Sequence, residues 1–236
     1  MLGMSADALT RARELMRAAG VHPRAVEVFS HHYRELERGE QGFLAEQDLE
    51  PVDRLPRAVD LEVDQDAEAD ALRRTAVVKL NGGLGTSMGM DRAKSLVEVR
   101  PGSSFLDLIA DQVLALRERY GVALPLLLMN SFRTRDDSGA ALARHQRLTV
   151  DGPPLDFLQN QEPKLLEHSL EPVSWPADPT LEWCPPGHGD LYTALETSGG
   201  LDALLERGYR TLFVSNADNL GGRPDPRAGA GGFGGA

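Results

Sequence analysis

A chain of 236 residues, 41% hydrophobic and 26% charged, is too apolar for a disordered protein and long enough for one large domain or one and a half. Its 25 Lys and Arg against 36 Asp and Glu leave a net charge of −11, which argues against a nucleic-acid coat because phosphate backbones call for a basic face. A single cysteine, Cys184, excludes an intramolecular disulfide framework and suits a reducing compartment. The opening MLGMSADALTRARELM has no basic stretch followed by a continuous apolar run, and no segment approaches the roughly 20 apolar residues of a membrane span. The expectation is a cytoplasmic protein with neither a membrane nor a nucleic acid as partner.

The first 75 residues read as helical. Ser5 suits an N-cap, with apolar Leu9, Leu15 and Met16 following and Gly20 as a stop. Val26, Phe29, Tyr33 and Leu36 recur at helical spacing and predict a second helix from about Pro23 to Glu37. From Glu46 to Asp70 acids dominate, and Arg54 and Arg57 are the only basic residues. Such a run suits a nucleic-acid mimic or a docking tail. A solvated connector with one short helix near its end is the simpler expectation.

After Arg74 short apolar runs alternate with helical patterns. Strands are predicted at Thr75–Leu80, Leu124–Met129, Leu155–Leu158 and Arg210–Ser215, and helices at Ser104–Tyr120, Asp136–Gln146 and within Asp190–Gly208. The predicted helix after Ser104 carries Phe105, Leu108, Ile109, Val113 and Leu116 on one face. Strand–helix alternation of this kind implies an α/β fold with a mostly parallel sheet and helices on both faces. Ligands of such sheets lie beyond the carboxyl ends of the strands, so those ends are where chemistry is to be sought, and four motifs could carry it.

The first is LNGGLGTSMGMDRAKS, residues 80–95, directly after a predicted strand. Gly82, Gly83, Gly85 and Gly89 permit positive φ and close backbone approach, so successive N–H groups can cradle a phosphate, with Lys94 arriving to neutralise charge. The pattern is neither a P-loop, lacking GK[ST], nor the dinucleotide G-x-G-x-x-G. The second is FLQNQEPKL, residues 157–165, where the carboxamides of Gln159 and Gln161 offer the donor and acceptor that read the edge of uracil or a similar base.

The third motif is WCPPGHGDLYTAL, residues 183–195. His188 between Gly187 and Gly189 suits phosphate or sugar binding, acid–base work, or a plain turn, and Asp190 suits a helix cap. Metal binding by Cys184 and His188 is disfavoured, since no further ligands are spaced for zinc. In the fourth, FVSNADNLG (213–221), Asp218 follows an apolar strand, where a carboxylate can hold Mg²⁺ against substrate phosphates. Asn216 and Asn219 supply neutral donors and acceptors around it, and an Asx turn is the alternative reading.

Taken together, these four motifs resemble the UTP–glucose-1-phosphate uridylyltransferases, or UDP-glucose pyrophosphorylases, in order and spacing over residues 76 to about 227. The resemblance implies a Rossmann-like nucleotidyltransferase fold of the glycosyltransferase-A-like kind, a mixed sheet with helices on both faces preceded by a helical segment. It also implies transfer of uridylyl from UTP to glucose 1-phosphate with Mg²⁺, releasing pyrophosphate. On this chain Leu80, Asn81, Gly82, Gly83 and Gly85 would then hold the nucleotide and Lys94 would stabilise charge at the α- and β-phosphates. Gln159 would read uracil, Gly187 and Gly189 would lie against base and ribose, and His188 would contact phosphate or sugar. Asp218 would ligate Mg²⁺ and Asn216 would help hold the sugar. A UDP-N-acetylhexosamine pyrophosphorylase and an inactive nucleotide-binding fragment are the alternatives.

The expected organisation is a helical segment and acidic connector at 1–74, the first part of a catalytic domain at 75–227, and a low-complexity tail, AGAGGFGGA, at 228–236. Similarity to the family persists through PDPR (224–227), which suggests a C-terminally truncated form lacking further sugar-binding residues and a second phosphate-binding lysine.

Overall fold

The computed structural model describes residues 2–40, 42–52, 57, 60–85, 89 and 92–230. In chain order the elements are α1 (Leu2–Ala18), α2 (Pro23–Glu37), α3 (Gln65–Arg73), β1 (Thr75–Asn81), β2 (Glu98–Arg100), β3 (Ser103–Ser104), α4 (Phe105–Tyr120), β4 (Leu126–Asn130), α5 (Arg135–Leu142), β5 (Asp156–Leu158), β6 (Glu162–Pro163), β7 (Trp183–Cys184), α6 (Leu191–Thr197), α7 (Gly200–Glu206), β8 (Thr211–Asn216) and α8 (Pro226–Ala230). No helix among the described residues is long and apolar enough to cross a membrane. The chain forms two compact units that do not follow sequence order. One joins Met1–Leu55 to Asn160–Thr197, and the other joins Pro56–Gln159 to Ser198–Ala236.

The second unit is built on a sheet of order β5-β4-β1-β8 in which each neighbouring pair is parallel. β1 is central and reads TAVVKLN because both faces of a parallel strand are covered. Val77, Leu126 and Leu128 on one face meet Leu72 of α3, Ile109 and Val113 of α4, and Leu142 of α5. Ala76, Val78, Leu127 and Met129, of opposite parity along the strands, are buried as well. Each leucine buried this fully contributes about 1.5–3 kcal/mol.

α4 begins at a capping box. Ser104 Oγ accepts from the Asp107 N–H, and the Asp107 carboxylate accepts from the Ser104 N–H. Gly121, at φ 62°, ends the helix in the left-handed conformation that glycine adopts without strain. The predicted helix over 136–146 is shorter, because His145 leaves helical geometry and turns its ring to Asp107, 2.8 Å away.

In the first unit α1 and α2 pack through Ala8, Ala12, Met16, Val26, Phe29 and Tyr33, with Leu165, Leu170 and Trp183 against them. Leu15 and Leu36, expected in these apolar stripes, are exposed. Ser5 lies inside α1 and is not its cap, since the helix already runs from Leu2. Pro23 opens α2, and its N-cap His22 accepts the Arg24 N–H through Nδ1. Tyr33 donates its hydroxyl proton to the Leu170 carbonyl at 3.1 Å, and Arg11 pairs with Glu171. β6 and β7 form an antiparallel pair that the sequence reading did not anticipate.

The described part of the acidic connector is exposed from Glu46 to Val52, with a 3₁₀ turn at Glu46–Asp48 and α3 near its end. Arg54 lies outside the described residues. The expected boundary at 227/228 falls inside α8, and 231–236 lie outside the described residues.

Candidate active site

The carboxyl ends of the four parallel strands form one row. Register pairs Leu80 with Met129 and with Asn216, Asn81 with Asn130, and Asn130 with Leu158. The segments leaving β1, β5 and β8 therefore emerge side by side, and they carry three of the four motifs.

Gly82 is the first residue beyond β1. Its φ is not in the left-handed region, contrary to the expectation for this loop, and nor is that of Gly83; Gly89, at 70°, meets it. What requires glycine at 82 is proximity. A Cβ there would overlap the carboxamide oxygen of Gln159 and stand 3.6 Å from Ser131 Cβ. Gln159 is buried, and its N–H donates to the Asn130 carbonyl at 2.8 Å. The first and second motifs thus meet through a bare backbone and a carboxamide. Asn81 supplies only its backbone to this rim, because its Nδ2 donates to Asn130 Oδ1 and Ser138 Oγ, each at 2.7 Å.

The glycine-rich loop doubles back on itself. Gly85 N–H donates to the Arg92 carbonyl, Leu84 bridges Ala93, and Lys94 N–H donates to the Gly83 carbonyl at 3.1 Å. Lys94 consequently packs along Gly83, where a Cβ would lie 3.9 Å from its Cδ. The side chain is half-buried, and among the described residues its ammonium has no hydrogen bond or ion pair. Residues 86–88, 90 and 91 of the motif lie outside the described residues.

Beyond β8 the Ala217 N–H donates to the Leu80 carbonyl at 3.1 Å, which places the fourth motif beside the first. Asn219 closes the turn, its N–H donating to the Asn216 carbonyl and its Oδ1 accepting from Gly222 N–H at 3.1 Å. The turn alternative therefore describes Asn219. The exposed Asp218 carboxylate has no partner among the described residues, and Asn216 is exposed next to it in sequence but one. An unpaired carboxylate is a hard oxygen donor, and Mg²⁺ characteristically takes one or two carboxylates together with substrate phosphates and water. These residues fit that ion.

The third motif belongs to the other unit. Gly187, at φ 103°, leads into a 3₁₀ turn, His188–Asp190, that leaves His188 and Gly189 exposed. Asp190 does not cap α6. Its carboxylate accepts from Asn160 N–H at 2.6 Å and Asn160 Nδ2 at 2.8 Å, clamping the turn to the segment before β6. Burial raises the Asp190 pKa against the pull of those bonds. Burial and the neighbouring Asp190 push Glu162 up to about 7, opposed by His32. Cys184 is held above the usual thiol range, by burial first and then by Glu162. Among the described residues the trio of metal-type side chains with ligand atoms within 4.8 Å of one another is His31, His32 and Glu35 on the solvent side of α2, so Cys184 and His188 take no part in it.

Sequence reasoning missed three residues, two at the end of β4 and one inside β1. Asn130 holds Asn81, Ser131 lines Gly82, and Lys79 is buried within β1. A lysine interrupting the run TAVVKL was the available signal for the last.

A family model described as UTP–glucose-1-phosphate uridylyltransferase matches residues 26–228. The Saccharomyces cerevisiae UTP–glucose-1-phosphate uridylyltransferase is 46% identical over 157 residues, covering 65% of this chain and 31% of its own. The Solanum tuberosum enzyme of the same name is 45% identical over 151 residues, covering 64% and 31%. Among solved structures, a Leishmania major UDP-glucose pyrophosphorylase variant in complex with UDP-glucose superposes with a TM-score of 0.85 at 41% identity, over 94% of this chain and 46% of that one. A UDP-glucose phosphorylase from Trypanosoma brucei gives 0.83 at 39% identity, over 94% and 47%. The chain spans about a third of the curated relatives it matches and just under half of the solved ones. On the match over residues 26–228, the chain belongs to the UTP–glucose-1-phosphate uridylyltransferase family.

Proposed function

We propose that this chain binds UTP at the strand ends of its parallel sheet and serves uridylyl transfer to glucose 1-phosphate, yielding UDP-glucose and pyrophosphate. The observation that carries the reading is the meeting of Gly82 with the Gln159 carboxamide, beside a loop that returns Lys94, unpaired among the described residues. A carboxamide held against bare backbone can read a uracil edge, and backbone N–H groups past β1 can meet phosphate oxygens. In the reaction a phosphate oxygen of the sugar phosphate attacks the α-phosphorus of UTP in line. The bond from that phosphorus to the bridging oxygen breaks and pyrophosphate leaves. No enzyme nucleophile is involved, so positioning and charge stabilisation carry the rate.

In this reading Leu80, Asn81, Gly82, Gly83 and Gly85 line the nucleotide with backbone, and Lys94 faces the charge developing on the α- and β-phosphates. From the family resemblance, Gly187 and Gly189 would lie against base and ribose, and His188 would contact phosphate or sugar. Asp218 holds Mg²⁺, and Asn216 contacts the sugar. The ion, when bound, neutralises triphosphate charge that would otherwise oppose the incoming sugar phosphate. The same reading makes the protein a cytoplasmic participant in carbohydrate metabolism.

The test is pyrophosphate release by the purified chain with UTP, glucose 1-phosphate and Mg²⁺. Release that requires both substrates supports transfer. Saturable UTP binding without release would leave the nucleotide site standing and remove the reaction.

A further inference from the structure

Lys79 sits in the centre of β1, two residues along from Val77, and is 2% exposed. Leucine or methionine would serve a strand interior without the cost of burying an ammonium. What the ammonium adds is a set of donors aimed at β8 and the loop that follows it. Its Nζ donates to Ser215 Oγ at 2.7 Å and to the Gly222 carbonyl at 2.5 Å, and Ser215 Oγ donates to the same carbonyl at 3.2 Å. Both partners are neutral, and burial draws the lysine down to about 8.

These bonds close a loop on one strand. The segment leaving β8 is tied to β1 at its start, through Ala217 N–H and the Leu80 carbonyl, and at its end, through Gly222 and Lys79. Gly222 has no room for a side chain, since a Cβ would stand 2.9 Å from Ser215 Cβ and 3.0 Å from its Oγ. Between the two ties stands exposed Asp218. β1 also leads into Gly82 and Gly83, so a single strand anchors both the phosphate-facing backbone and the carboxylate loop.

We propose that Lys79 is a positioning residue for this loop: by fixing Gly222 against β1 it sets where Asp218 stands relative to Gly82 and Gly83, and so governs the affinity for a divalent cation bound together with a nucleoside triphosphate. The inference rests on the reading of Asp218 as a metal ligand.

The experiment titrates Mn²⁺ by electron paramagnetic resonance into the chain at saturating UTP, and measures metal-free UTP affinity by calorimetry. The variants are Lys79→Met, Gly222→Ala and Asp218→Asn, with near-UV circular dichroism as the check on folding. Lys79→Met and Gly222→Ala are each expected to weaken Mn²⁺ binding at least tenfold while metal-free UTP affinity stays within twofold. Gly222→Ala keeps the charge and displaces the same carbonyl, so it carries the test alone if Lys79→Met does not fold. Unchanged Mn²⁺ affinity in a folded variant overturns the proposal, as does an equal loss of UTP affinity, which a merely structural contact would produce. Asp218→Asn separates the two layers. If it leaves Mn²⁺ binding intact, the metal reading at Asp218 falls, and the role of Lys79 falls with it.

Discussion

The Cα of Gly82 and the carboxamide of Gln159 share a space with no room for a β-carbon between them. This contact joins two loops that lie far apart in sequence, and it sets the group proposed to read the base against the first residue of the backbone proposed to meet phosphate.

Gly82→Ala follows directly. The added methyl displaces the flexible end of Gln159 and leaves the strands in place, so the fold should survive. UTP affinity should fall about tenfold, equivalent to about 1.4 kcal/mol. Calorimetric titration of the variant beside the parent protein checks this, with thermal unfolding as the control on stability.

Lys94→Ala removes a cation that has no partner among the described residues, so stability should change by less than about 0.5 kcal/mol. Loss of one charge-stabilising donor typically costs about 10²–10³ in turnover. Initial rates of pyrophosphate release would reveal it. Near-normal rates in the alanine variant would falsify the assigned role.

The helices and strands near these residues were legible in sequence where their pattern was local. Val26, Phe29 and Tyr33 at helical spacing gave α2 its bounds, and TAVVKL gave β1. The glycine-rich loop was legible as a segment leaving β1, but the reason for its glycine at 82 was not. Gly82 answers to Gln159, whose carboxamide arrives only when β5 docks on β4, and no spacing in the sequence encodes that. Asp190 was misread for a similar cause. As a residue before a helix it suited a cap, whereas the fold offered it two donors from Asn160. Ser5 failed because a cap preference of about 1 kcal/mol does not stop a helix that has already started.

Asp107 joins the start of α4 to the end of α5, accepting from Ser104, Arg144 and His145. Burial alone would raise its pKa, but the hydrogen bonds from His145 and Ser104 and the Arg144 charge outweigh it, and the pKa is lowered. A carboxyl held below its unfolded value stabilises the fold fully above that value, near 3.8, and loses the contribution as pH falls through the folded pKa. Asp107→Ala should therefore cost about 2–3 kcal/mol at neutral pH and flatten the acid limb of stability below pH ~4. Urea unfolding between pH 2 and 7 would show both effects; an unchanged acid limb contradicts the assignment.

Glu162 works in the opposite sense. Burial and Asp190 lift its carboxyl from 4.5 to about 7, so the folded chain keeps a proton that the unfolded chain releases. Stability should decline as pH rises from about 4.5 to about 7 and level off above. Glu162→Gln removes that slope and should stabilise the protein at pH 7.5 by on the order of 1–3 kcal/mol. Thermal unfolding at pH 5 and pH 7.5 compares the two proteins. Equal slopes would contradict the shift.

Calorimetric titration of the chain with UTP and, separately, with CTP tests the central claim most directly. The account predicts one-to-one saturable binding of UTP, at least tenfold weaker binding of CTP, and loss of that discrimination in Gln159→Ala. No saturable UTP binding, or equal binding of both nucleotides by the parent protein, would contradict it.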